Sequence, residues 1–283
     1  MDPVRRFHRP ALRRPRALLA FEGWNDASEA ASGAVAYLLE QHDSEPFALI
    51  EPEEFYDFQS SRPAVEIDAG GTRRLTWPST RFYAIERPGE DGDLVIVIGD
   101  EPQLRWKTYA RLLVQILAES DVERAVTLGA FIGQVPHTVP VPLVGVATDP
   151  GTIDRAGLPG SRYEGPTGIV GVVLEAFREV GTPALSIWAA VPHYLAANAN
   201  PMAMLALLAK AAEVLGADVD LGELERLADE FRERVDEAMH QSNDLEAYIR
   251  RIEEEAGDPP AIDPGAAPSL ITEIEQFLRN RDA

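Results

Sequence analysis

Apolar positions along the chain fall into short runs closed by turns that carry glycine or proline, with helical stripes between the runs. Ala17–Phe21 is an apolar run closed by Glu22-Gly23, the pattern of a buried strand. Asn25 or Asp26 then offers an N-cap, Glu29 is placed to close a capping box, and an alanine-rich helix runs to about Glu40 with Val35, Leu38 and Leu39 inward. Strand, tight turn and helix make one βα unit. Phe47–Ile50 reads as a second short strand, Val65–Asp68 and Thr72–Trp77 as a hairpin about Ala69-Gly70-Gly71, and Arg81–Glu86 as a further strand. Leu94–Ile98 is continuously apolar and β-branched, which marks a central strand covered on both faces. Leu104, Tyr109, Leu112, Leu113, Ile116 and Leu117 recur at helical spacing. Ala125–Phe131, Val141–Ala147 and Ala184–Ala190 read as strands, and a helix starts at Pro201 and runs through Leu215.

The stretch Ser161–Gly171 stands out among the turns. Pro166 fixes φ there, the glycines permit close backbone approach, and Thr167 is placed to cap a helix carrying Ile169, Val170, Val172, Val173, Ala176 and Phe177. A helix N-terminus of this kind suits an anion or a carbonyl, and an ordinary loop-to-helix cap has the same pattern.

Past residue 216 the pattern changes. Asp220 and Glu223 suggest a capping box, followed by one long stripe of Leu221, Leu224, Leu227, Phe231, Val235 and Met239 and a second of Leu245, Tyr248, Ile249 and Ile252. The opposite faces are acidic, so an antiparallel helical pair is expected, docked on the main domain or on a partner. Gly257–Pro268 reads as a linker and Ser269–Asn280 as a short apolar terminal helix. The expected organisation is a basic arm at 1–16, an α/β domain at 17–216, a helical extension packed on it at 217–256, and a linker with a short helix at 257–283. No internal repeat occurs.

The composition is that of a soluble globular protein: 283 residues, 45% hydrophobic and 26% charged. There is no cysteine, which excludes a disulfide framework, a thiolate metal site and a thiol nucleophile. No export signal or transmembrane run is read, so the cytoplasm is the expected compartment, with no membrane association. A net charge of −21 opposes nucleic-acid binding. Residues 218–258 hold fifteen acids and five arginines, whereas residues 1–16 hold six arginines and one aspartate. Such an arm is a flexible tail, or lies on the protein's own acidic surface, or touches nucleic acid or membrane.

In open α/β sheets, ligands bind beyond the carboxyl ends of the strands. The expected strand ends carry Trp24-Asn25-Asp26, Arg105-Trp106, His137-Thr138, Glu164 with Thr167, and His193-Tyr194. If the strands are parallel neighbours, these line one cleft suited to acid–base chemistry or a phosphate-bearing ligand. Each also has a plainer reading: Asp26 caps its helix, the histidines bond to backbone, and the tryptophans pack. No His-x-x-x-His or Glu-x-x-His pair, Gly-x-Ser-x-Gly elbow, P-loop or Gly-x-Gly-x-x-Gly occurs, so neither a metal nor a cofactor is expected.

At these stretches the sequence resembles the PAC2 family of proteasome assembly chaperone 2-like proteins, in its actinobacterial branch. The matching residues are Phe21–Ala27, Glu101–Trp106, Val135–Thr138, Tyr163–Gly171 and Trp188–Tyr194, spread over roughly 17–256. The chain departs from that pattern at Ser28, where glycine is expected, and at Val139, where arginine is expected. The resemblance implies a three-layer α/β/α sandwich around a mostly parallel or mixed sheet, phosphorylase- or hydrolase-like, with a helical C-terminal extension. It implies a non-enzymatic assembly or interaction protein with a proteasome-related partner. The cluster of polar strand-end residues keeps open a small-ligand binder or enzyme with a nucleoside phosphorylase-like cleft. The apolar stripes at 221–239 and 245–252 exceed what a covered α/β core needs, which predicts a homo-oligomer, a trimer, unless those helices pack on their own domain.

Overall fold

A computed structural model describes residues 3–68, 70–88, 91–240 and 243–255. The elements in order are β1 (Val4–Arg6), β2 (Arg16–Glu22), α1 (Ala30–Glu40), β3 (Pro46–Ile50), β4 (Ala64–Ile67), β5 (Arg73–Thr76), β6 (Thr80–Ile85), β7 (Leu94–Asp100) and α2 (Trp106–Glu119). Then follow β8 (Arg124–Gly133), β9 (Leu143–Ala147), α3 (Pro150–Arg155), α4 (Ile169–Val180), β10 (Ala184–Pro192), α5 (Pro201–Leu215), α6 (Gly222–Met239) and α7 (Asn243–Glu255). The expected linker and terminal helix at 257–283 lie outside the described residues, as do Ala69 of the hairpin turn and the side chain of Leu245.

Eight strands form one sheet in the order β1-β3-β6-β7-β2-β8-β10-β9, and β4 and β5 pair only with each other. The four middle strands, β7, β2, β8 and β10, are parallel, and antiparallel strands flank them on both sides. This is the expected α/β fold with a mixed central sheet, covered by helices on both faces. β2 shows why. Its residues Leu18 and Ala20 join Val35, Leu128, Leu207 and Leu208 under α1 and α5. Leu19 and Phe21 point the other way and join Tyr109, Leu113, Val173 and Phe177 under α2 and α4.

The extension closes over one end of this sandwich. Leu224 completes the core under α5, while Phe231, Val235, Met239, Ile249 and Ile252 form a further buried cluster with Tyr194, Leu195 and Met202. The apolar stripes therefore pack on their own domain, and the expectation that they supply the surface of an oligomer is corrected. The α6 capping box also does not form: Leu221 is the N-cap residue, and Asp220 accepts instead from Gly222 N–H at 3.0 Å.

The basic arm is laid along the protein's own acidic surface. β1 pairs antiparallel with β3, Arg6 forks onto Glu119 at 2.8–3.1 Å, and Arg14 reaches Asp91 and Glu123. Asp93, 1% exposed, accepts from the Arg13 N–H at 2.6 Å and the Arg87 N–H at 2.9 Å. Burial alone would raise its carboxyl group. Those N–H groups and the Arg13 guanidinium outweigh burial and hold it below the usual range.

Candidate functional site

The parallel strands deliver Glu22, Asp100, Gly133 and Pro192 to one end of the sheet. The polar residues expected there divide into two groups, each bound into the fold in its own way.

The first group surrounds the start of α4. Asn25 is fully buried, its carbonyl accepts from Ala130 N–H at 2.7 Å, and its amide donates to Glu101 Oε1 at 2.7 Å. The same carboxylate oxygen accepts from Ile169 N–H, the first residue of α4, at 2.8 Å. The anion suited to this helix N-terminus is thus supplied from within the chain. Thr167 does not cap the helix as expected. It is exposed, Gly168 takes the N-cap position, and a Cβ at residue 168 would lie 2.3 Å from Asn25 Oδ1. Glycine is required there by that close approach. Glu101 was given no role in the sequence, where its signals are its place directly after a strand end and at the head of the matching stretch Glu101–Trp106.

Asp26 is a structural cap. Its Oδ1 accepts from Ala31 N–H at 2.6 Å and Ser32 N–H at 3.2 Å, and its Oδ2 accepts from the Ser32 hydroxyl. Burial raises its pKa, with those donors partly opposing. The capping box with Glu29 does not form, because Ser28 and Glu29 both adopt left-handed backbone, at φ 57° and 52°. Glycine would sit at position 28 without strain. Here the Ser28 hydroxyl holds Leu195 O at 3.1 Å.

The second group lies under the helical extension. The Tyr194 hydroxyl accepts from His137 N–H and lies 2.8 Å from His137 Nδ1. Its own proton therefore goes to Nδ1. That leaves the ring proton on Nε2, where it is donated to Asp236 of α6 at 3.0 Å. Burial lowers the pKa of His137, with Asp236 only partly offsetting it. Thr138 donates to Glu253 at 2.5 Å, and His193 Nε2 meets the Tyr248 hydroxyl at 2.5 Å, so both are tied to α7. These residues are polar fastenings between domain and extension. The cavity beside His137 measures about 10 Å³, roughly the space of a single water.

The remaining candidates join neither group. Arg105 pairs with Glu54 at the surface, and the Trp106 indole N–H donates to Pro102 O. Glu164 is exposed and makes no hydrogen bond or ion pair among the described residues. Trp24 is 63% exposed. A cavity of about 480 Å³ lies at the opposite end of the sheet, lined by Arg124, Arg155, Ala184 and Glu213. Among the described residues no group of three or more acidic or histidine side chains can hold a metal ion, and no helix is long and apolar enough to cross a membrane.

This end of the sheet also exposes large apolar side chains. Trp24, Leu104, Val139 and Tyr163 are exposed on its loops and Ile132 at the end of β8, as are Val65, Ile67, Leu75 and Trp77 on the connection from β3 to β6. That connection leaves and re-enters the sheet at the same end, since Ile50 pairs with Thr80 and Thr80 with Gly99. Among the described residues only Phe7 and Val180 are large, apolar and exposed elsewhere.

The model of the PAC2 family matches residues 20–239. A PAC2 family protein from Streptomyces avermitilis is 44% identical, with a TM-score of 0.77 over 83% of this chain and 99% of its own. A proteasome-assembly chaperone homologue from Mycobacterium tuberculosis is 39% identical, with a TM-score of 0.76 over 83% and 99%. PbaB of Pyrococcus furiosus, an archaeal proteasome activator, shares the fold at 19% identity, with a TM-score of 0.65 over 83% and 97%. No curated protein matches the chain.

Proposed function

The chain belongs to the PAC2 family, and from that premise we propose that it is a non-enzymatic assembly or interaction protein of the proteasome-chaperone type. It works in the cytoplasm as a homo-oligomer of three copies and contacts a proteasome-related protein. The observation that carries this reading is the character of the sheet's carboxyl end. In an enzyme of this architecture that end would hold free titratable groups around a pocket. Here Asp26 is a helix cap, Glu101 and Asn25 are a strut, and His137, Thr138 and His193 fasten the extension. The large apolar and aromatic side chains left exposed there are Trp24, Leu104, Ile132 and Tyr163, beside the exposed Glu22, Arg105 and Glu164, and large apolar groups of this kind mark protein contacts. The named relatives support the proteasome-related partner. The net charge of −21 disfavours nucleic acid.

The purified protein is expected to show no phosphorolysis of nucleosides and no ATP hydrolysis above background. Turnover that disappears in Glu164→Gln would overturn the proposal and establish the strand-end residues as an active site.

A further inference from the structure

The β4–β5 hairpin stands apart from the main sheet, its strands paired only with each other. In register, Val65 opposes Leu75 and Ile67 opposes Arg73, so these four share one face, while Glu66 and Arg74 share the other. Val65, Ile67 and Leu75 are 54%, 63% and 57% exposed. A two-stranded hairpin alone in water is marginal at best, and a face of three large aliphatic side chains is surface that another molecule covers. The hairpin's charge narrows what that molecule is. Arg74 lies 3.7 Å from Asp68, and of the charges Arg62, Glu66 and Arg73, which have no ion-pair partner among the described residues, two are positive and one negative. An apolar hairpin with a small positive excess thus belongs to a chain of net charge −21.

We infer that the hairpin is an arm that clasps a second copy of this chain. Its Val65, Ile67 and Leu75 face seats on the neighbour's Trp24, Leu104, Ile132 and Tyr163, with Arg62 and Arg73 turned towards the exposed Glu22 and Glu164. This rests on the self-association proposed above and names the surfaces that produce it. Two four-residue strands are too small for a tip-to-tip interface, because stable contacts bury about 1,200–2,000 Å². Arm and receiving surface differ, so the contact is heterologous, and repetition closes a ring of the kind a trimer needs.

Light scattering on the full chain tests this with two variants, Ile67→Asp/Leu75→Asp and Trp24→Asp, all at exposed positions. The wild type is expected to be a trimer and each variant a monomer with an unchanged melting temperature. An equimolar mixture of the two variants is expected to form a heterodimer, since one retains the receiving surface and the other retains the arm. Wild-type and hairpin-variant trimers of equal stability would overturn the clasp while leaving self-association intact. A dissociated hairpin variant beside an intact Trp24→Asp trimer would overturn the assigned receiving surface. A monomeric wild type at micromolar concentration would overturn self-association itself. Should the hairpin variant misfold, replacing residues 64–76 with a short glycine–serine linker gives the same readout.

Discussion

Leu227→Asp/Phe231→Asp is expected to lower the melting temperature by roughly 10–20 °C without weakening association. Phe231 is 3% exposed and packs among Tyr194, Met202, Val235, Ile249 and Ile252. Removing a buried phenylalanine ring costs about 3–5 kcal/mol, and a carboxylate with no partner in that position adds to it. In a chain of this size each kcal/mol is worth roughly 2–4 °C. Loss of the stripe would also expose Tyr194 and strand the Nε2 proton of His137, so the extension should leave the domain as a unit. Phe231→Ala should give a smaller loss in the same direction. Circular-dichroism melts and light scattering on the same samples decide the matter. Dissociation with an unchanged melting temperature would return the stripe to an intermolecular role.

Glu101→Ala has the second largest expected effect. One carboxylate oxygen holds both the Asn25 amide and the first N–H of α4. Asn25 Oδ1 already has no partner among the described residues, so the alanine variant leaves the whole Asn25 amide group unsatisfied. Hydrogen bonds to a charged group are worth about 1.5–3 kcal/mol each, and the carboxylate at a helix N-terminus adds about 0.3–1 kcal/mol. A loss of roughly 3–6 kcal/mol is expected, read by urea denaturation. Glu101→Gln keeps an acceptor and should lose less than half of that. A stable Glu101→Ala variant would show that the strut is dispensable.

The regular fold was legible in the sequence because its signals are local. Leu94–Ile98 and Ala17–Phe21 announce covered strands by unbroken apolar character, and the stripe at Leu224, Phe231 and Val235 announces a helix by period. β1 was missed because three residues, two of them arginines, carry no pattern, and its partner lies more than forty residues away. The strand-end region was legible as special but not as what it is. Thr167 is a good cap by residue type, yet the α4 N-terminus is filled by Glu101, 68 residues distant in the chain. His137 pairs with Asp236 across 99 residues. Such bonds depend on where the extension folds back, and no local spacing encodes that. The left-handed backbone at Ser28 and Glu29 was hidden because neither residue type favours it, and the glycine expected at position 28 was its one trace.

The central claim is that the carboxyl end of the sheet makes protein contacts. Sedimentation velocity of the protein mixed with purified proteasome subunits from the same organism tests it most directly. The wild type should co-sediment with the subunits, and Trp24→Asp, equally stable, should not, whether Trp24 touches the subunits or the neighbouring copy. A wild type that sediments apart from the subunits, or a complex that Trp24→Asp leaves intact, would contradict the account.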